Sequence, residues 1–366
     1  MNKITLLLIL LFIFSCKKSI DIDTEKRKIQ SQIDLVTEAH FTKDANKFYK
    51  PNAENWYDVR RGNVTLVKKQ DMITATQSYL DNMEFQEMVK RDDPIIEISD
   101  DGTLASYIGS VTVKGILKEE PVFWVVSWQS VLKNINDEWK IISSANTEAD
   151  NQTSSIVLLN QIRKNLGHKN ENDIPSIYAL AECKGPDRSF KTLILSRETD
   201  GRMEQIYDEN HFVMKHGKDS SWTYNINTKS LNENMDESTK MFIQGHELHW
   251  LSFWPEHRYA NAQLKDITKF KNQLAFNIEF INAMNKSVNF YYSFDSYVPL
   301  GFQININDEG DIVTVSFENW KKINDINVFT KATFEQGKEV FEYNFVDIKI
   351  NQLDTEEFES KVGLIM

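Results

Sequence analysis

Gly245-His246-Glu247-Leu248-His249-Trp250 is the run of this sequence best equipped for chemistry, and His257 follows shortly after it. Imidazole is both a metal ligand and a general base at neutral pH. The zinc-protease pattern needs two histidines four residues apart with a glutamate after the first. His246 and His249 are three apart, so that pattern is absent. A spacing of three on a helix still shares one face, which leaves His246, His249 and His257 as the metal candidates. No complete ligand set of known spacing accompanies them. The sequence therefore points to no metal and no cofactor. The competing reading is a partly buried bend in which Trp250, Phe253 and Trp254 pack at the mouth of a β structure, with Trp222 as a further mouth residue.

Other chemistries find less support. Cys183 stands beside Ala181 with no base indicated nearby, and reads as a small buried hydrophobe. The sequence has no dinucleotide fingerprint, no phosphate-binding loop and no Gly-x-Ser-x-Gly elbow. Gly109 and Gly115 read as bulge or twist positions in a strand. Asp92-Asp93 and Asp100-Asp101 read as solvated turn residues, without the ligand spacing calcium requires.

The elements that position these groups belong to a chain of 366 residues, enough for two domains. A net charge of −12 argues against nucleic acid as a partner, because phosphate binding needs clustered Lys and Arg. Lys3 precedes an apolar run from Ile4 to Phe14, closed by Ser15 and Cys16. A bilayer span needs about 20 apolar residues, so the run is too short to be one. A charged start, an apolar stretch and a small residue form a secretory signal. With Cys16 directly after Ile13-Phe14-Ser15, it resembles the bacterial lipoprotein signal, which is cut before the Cys. That resemblance implies a signal peptide at 1–15 and acyl chains, palmitate among them, on Cys16, followed by a polar tether at 16–24. The protein would then be lipid-anchored in the cell envelope, at the outer membrane, with the membrane as partner through Cys16. An ordinary cleaved signal or an N-terminal anchor helix is the alternative. Cys183 would be the sole thiol of the folded part, which excludes an intramolecular disulfide.

From residue 25 to 148 the pattern is helix, loop, helix, then strands. Ile29, Ile33, Val36 and His40 share a helical face over 25–41, and the helix dipole favours a cation at His40. A loop is expected over 43–63 and a second helix over 69–83. Strands are expected from Ile95, then at 103–117, 121–133 and 138–146. Lys43-Asp44-Ala45, Ile96 to Ala105 and Asp137-Glu138-Trp139-Lys140-Ile141 resemble motifs of the NTF2-like superfamily, in particular its SnoaL and ketosteroid-isomerase-like members. The resemblance implies an α+β cone with helices on a curved antiparallel sheet. It places His40, Tyr57, Asp58, Arg60, Tyr79, Tyr107, Trp124 and Trp128 as cavity candidates. None of them forms a local acid–base signature.

Thr147 to Ser155 is polar and aperiodic, which sets a linker at 149–154. From 155 to 366 a helix over Ser155–Leu166 precedes many short alternating strands. The stretch 230–256 is less regular and partly helical. Gly217 to Tyr224, Tyr291 to Pro299, Asn319 to Phe329 and Asp347 to Phe358 resemble motifs of the Lol-type lipoprotein carriers. That resemblance implies an open antiparallel half-barrel around a helix, with an apolar interior that binds acyl chains. Asn327 and Thr330 depart from the Gly and Pro of the pattern. The combined expectation is a membrane-anchored envelope lipoprotein that binds an apolar small molecule, an acyl chain or a partner protein without catalysis. The alternative is an isomerase- or hydrolase-type enzyme using the first cavity.

Overall fold

The structure is a computed structural model and describes residues 20–169, 174–305, 311–350 and 353–365. Cys16, the signal segment and residues 17–19 of the tether lie outside the described residues. The chain divides into two compact units, one ending at Ala149 and the other beginning at Asp150.

The first unit opens with helix α1 (Ile22–Thr42), whose start is fixed by the Asp21 side chain accepting from the Thr24 amide. Ile29, Ile33 and Ala39 bury one face of it. A short helix α2 (Ala45–Phe48) leads into β1 (Asn52–Arg60) and β2 (Asn63–Lys68). These two strands replace the loop expected over 43–63. They pair through a tight turn in which Arg61 and Gly62 both take positive φ, 51° and 78°. Polar residues on both faces of this hairpin hide the alternation that marks a half-buried strand. Helix α3 (Lys69–Asn82) runs directly into β3 (Met83–Lys90), which the sequence reading also missed. Then come β4 (Ile95–Ile98), β5 (Leu104–Leu117), β6 (Glu120–Ile135) and β7 (Glu138–Glu148). Among the described residues the sheet order is β2-β1-β7-β6-β5-β3, with β4 on β5. All pairs are antiparallel except β1 with β7. The face under α1 carries Tyr107, Leu132, Trp139 and Ile141, packed on Ile29 and Ile33. Gly109 is needed for close approach: a Cβ there would lie 2.8 Å from the Trp128 ring and 2.9 Å from Tyr107.

The second unit begins with α4 (Asn151–Asn165), four residues before the expected start, because Asp150 caps it by accepting from the Thr153 amide at 2.7 Å. Strands β8 (Ser176–Lys184), β9 (Ser189–Arg197), β10 (Gly201–Tyr207), β11 (Asn210–His216), β12 (Trp222–Asn225) and β13 (Ser230–Asn232) follow. The irregular stretch contains α5 (Glu237–His246), α6 (Leu248–Phe253) and a 3-10 turn at Pro255–His257. Seven more strands complete the sheet: β14 (Ala260–Phe270), β15 (Gln273–Ile281), β16 (Ser287–Ser293), β17 (Pro299–Asn305), β18 (Ile312–Ile323), β19 (Ile326–Gln336) and β20 (Glu339–Ile350). A last helix, α7, spans Thr355–Glu359. The described strands form one antiparallel sheet, ordered β13 down to β8, then β20 down to β14. β8 pairs with β20, so the first and last long strands of the unit join its two halves. Every residue of α6 is buried, with His249 stacked on Phe329 of β19 and set edge-on to Phe345 of β20. The result is a large open antiparallel sheet around buried helix, an α+β architecture as expected.

Candidate functional site

The second unit holds a cavity of about 440 Å³. Helix α5 supplies one wall through Ser238, Met241, Phe242, Gly245 and His246, the one-face spacing of a helix. The sheet supplies the rest, chiefly Phe190 of β9, Tyr207 of β10, Phe302 and Ile304 of β17, Phe334 of β19, and Phe341 and Tyr343 of β20. Burial of apolar surface is therefore the main attraction this cavity offers a ligand. Polar groups also line it, with Arg188, Asn305 and Glu339 exposed and Gln205 and Lys286 half-buried.

The four aromatics expected at this mouth are elsewhere. Trp222 is buried on β12 with the Lys361 ammonium 5.6 Å from its ring centroid. Trp250, Phe253 and Trp254 are core residues, packed on each other and on His168. Large aromatic surfaces gain most when fully removed from water, so tryptophans marked the core and not the opening.

The three histidines do not converge. The helix breaks at Glu247, which ends α5 and begins α6, so the shared helical face does not exist. His246 donates from Nδ1 to the Phe242 carbonyl and stacks on Phe334 at the cavity wall. His249 donates from Nε2 to the Phe329 carbonyl. Burial pushes both imidazoles down to about 4, so they are neutral at pH 7. His257 is exposed and stacks on Trp254. Among the described residues no His, Cys, Asp or Glu cluster could hold a metal.

What sequence reasoning missed here is Glu247. Its carboxylate accepts from Arg258 at 2.7 and 2.8 Å and from His216 Nε2 at 2.7 Å. Burial opposes its charge, but the Arg258 guanidinium and His216 outweigh that and hold it at about 2. Arg258 also donates to the carbonyls of Arg197, Glu198 and Asp200. This network ties the β9–β10 turn to the α5–α6 junction and so fixes the helix that walls the cavity.

The first unit has its own cavity, about 310 Å³. Of the expected lining residues, His40, Asp58, Arg60, Tyr79, Trp124 and Trp128 are there. Tyr57 is not: strand alternation turns it outward, 53% exposed, while Trp56 and Asp58 face in. Tyr107 is not either, being packed under α1 against Trp128. Asp58 is paired with Arg60 Nε at 2.8 Å. His40 donates from Nδ1 to the Val36 carbonyl, between the edges of Phe48 and Phe85. Burial lowers its pKa, which opposes the cation expected at the helix end. The cavity combines an aromatic wall with one polar end, and its carboxylate is already engaged. Cys183 is buried, and burial raises its thiol to about 12, so it is inert as a nucleophile at neutral pH.

No protein-family model matches the chain, and a search of curated proteins gives no match. Solved structures of two kinds are similar to different parts of it. One is a LolA-superfamily protein from Nitrosomonas europaea, at 12% identity and TM-score 0.40, over 55% of this chain and 96% of that one. Another is an NTF2-like protein from Cytophaga hutchinsonii, at 18% identity and TM-score 0.29, over 34% of this chain and 98% of that one. A third is a ketosteroid isomerase-like protein from Erwinia carotovora, at 9% identity and TM-score 0.30, over 34% of this chain and 95% of that one. Among the described residues no helix is long and apolar enough to cross a membrane.

Proposed function

We propose that this chain is a cell-envelope lipoprotein, tethered through acylated Cys16, that binds an acyl chain non-catalytically in its second unit. The carrying observation is the cavity walled by α5 and by Phe190, Phe302, Phe334 and Phe341. In this reading residues 1–15 are removed and the tether runs from Cys16 to the start of α1. The two units, dividing at Ala149, then stand in the aqueous envelope. Burying eight methylenes is worth about 6 kcal/mol at about 0.8 kcal/mol each, a dissociation constant of tens of micromolar.

Gly245 gives a clean test. A Cβ at this helical position meets only Ile304 Cδ1, at 3.8 Å, and otherwise opens on space. Gly245→Leu therefore fills the cavity while improving helix propensity. The purified protein is expected to carry an acyl lipid detectable by native mass spectrometry, and Gly245→Leu is expected to lose it with at least about tenfold weaker binding of added dodecanoate. A wild-type protein that carries no lipid and takes up no dodecanoate would end the acyl-chain reading.

The tether is tested separately. Cys16→Ala should move the protein from the membrane to the soluble fraction, because without the acyl chains nothing in the proposed mode of attachment remains. A variant that still sediments with membranes contradicts the lipid anchor.

A further inference from the structure

The mouth of the second-unit cavity carries charge as well as apolar wall. Arg188 lies in the turn between β8 and β9 and is exposed. Its guanidinium sits 4.7 Å from the centroid of the Tyr207 ring, itself part of the wall. Stacking on an aromatic face holds the planar cation over the opening without consuming its N–H donors. Among the described residues Arg188 has no ion-pair partner. The other ionisable groups of the lining are Lys286, Glu339, His246, Tyr207 and Tyr343. His246 is uncharged at neutral pH, since burial lowers it to about 4. Arg188 is thus an exposed cation on the lining, with no ion-pair partner among the described residues, on a chain whose overall charge is −12.

Resting on the acyl-chain reading, we propose that the occupant is a long-chain fatty acid, its chain in the cavity and its carboxylate on Arg188. A volume near 440 Å³ is toward the small end of ligand pockets, about 300–1,000 Å³, and suits one chain rather than two. The guanidinium fork matches a carboxylate with two parallel N–H···O bonds. Local positive charge on an acidic protein selects the sign of the head group, while the apolar wall is indifferent to it.

Calorimetry of the purified protein with dodecanoate, dodecanol and dodecyl phosphate at pH 8 and low salt tests this. Dodecanoate should bind about fivefold tighter than dodecanol, the worth of one partly exposed ion pair. Arg188→Gln should erase that gap by weakening dodecanoate, with a much smaller change for dodecanol. Arg188→Lys should keep part of it, and added salt should narrow it. Equal binding of dodecanoate and dodecanol, with Arg188→Gln silent, overturns the head-group assignment and leaves the acyl-chain reading standing. Tighter binding of dodecyl phosphate overturns the carboxylate in favour of a phosphate. Binding of none of the three overturns both readings. Arg188 is exposed, so its variants should share the wild-type melting temperature, which shows that any loss is local.

Discussion

Replacing Glu247 by alanine should destabilise the second unit by about 3–5 kcal/mol, the cost of leaving a buried charge without its partner. Glu247 is fully buried, and the Arg258 side chain is 2% exposed. Removing the carboxylate strands a guanidinium that cannot reach water, and takes away the acceptor for His216. Glu247→Gln keeps an acceptor and the shape, so it should cost less. The double replacement Glu247→Met with Arg258→Met should recover much of the loss, because an apolar pair of similar volume is often no worse than a buried ion pair. Urea unfolding at pH 7, following the transition of the second unit, gives all three values. A loss below about 1 kcal/mol in Glu247→Ala would show that the network contributes little. The same variant should loosen α5, since Glu247 is the hinge between α5 and α6. Acyl-chain binding should then weaken along with stability.

The second large effect is acid lability. His246 and His249 titrate near 4 in the folded protein and near 6.5 when unfolded. Between those values the unfolded chain binds more protons, so stability rises with pH. The contribution is complete above about pH 6.5 and is lost progressively as pH falls toward 4. Two such groups, with His246 discounted for its partial exposure, amount to about 4 kcal/mol between pH 7 and pH 4.5. Glu247 works in the same direction at lower pH, because a carboxylate held near 2 loses its advantage below about pH 4.5. His249→Phe keeps the stacking shape against Phe329 and removes one titrating group, so it should roughly halve the slope. A stability profile flat from pH 7 to pH 5 in the wild-type protein would contradict this account.

Much of the architecture was legible because period and turn chemistry are local. Ile29, Ile33 and Val36 marked α1, and the strands expected at 103–117, 121–133 and 138–146 match β5, β6 and β7 closely. What escaped was of one kind. β1, β2 and β3 carry polar residues on both faces, since β2 and β3 end the described sheet of the first unit and bury little. A strand that buries little carries little pattern. The first cavity was legible through the NTF2-like resemblance at His40, Asp58, Arg60, Tyr79, Trp124 and Trp128. Tyr57 was misplaced because one residue of register turns a side chain to the other face, and Tyr107 because it lies on the face of Val111 and Val113 but further along β5, where α1 covers it.

The second cavity was illegible for a different reason. Its wall is drawn from β9, β10, α5, β17, β19 and β20, more than 150 residues apart along the chain. No local pattern marks Phe334 as a wall residue and Trp250 as core, since both are simply apolar. The histidine run that first drew attention shows the division most plainly. The sequence determined that His246 and His249 could not be a zinc-protease pair, because spacing is a covalent fact. Only the tertiary structure decided that Glu247 between them would be the charged pin of the fold. Its partners Arg258 and His216 come from other elements, and a buried charge exists only where folding has brought its counter-charges to meet it.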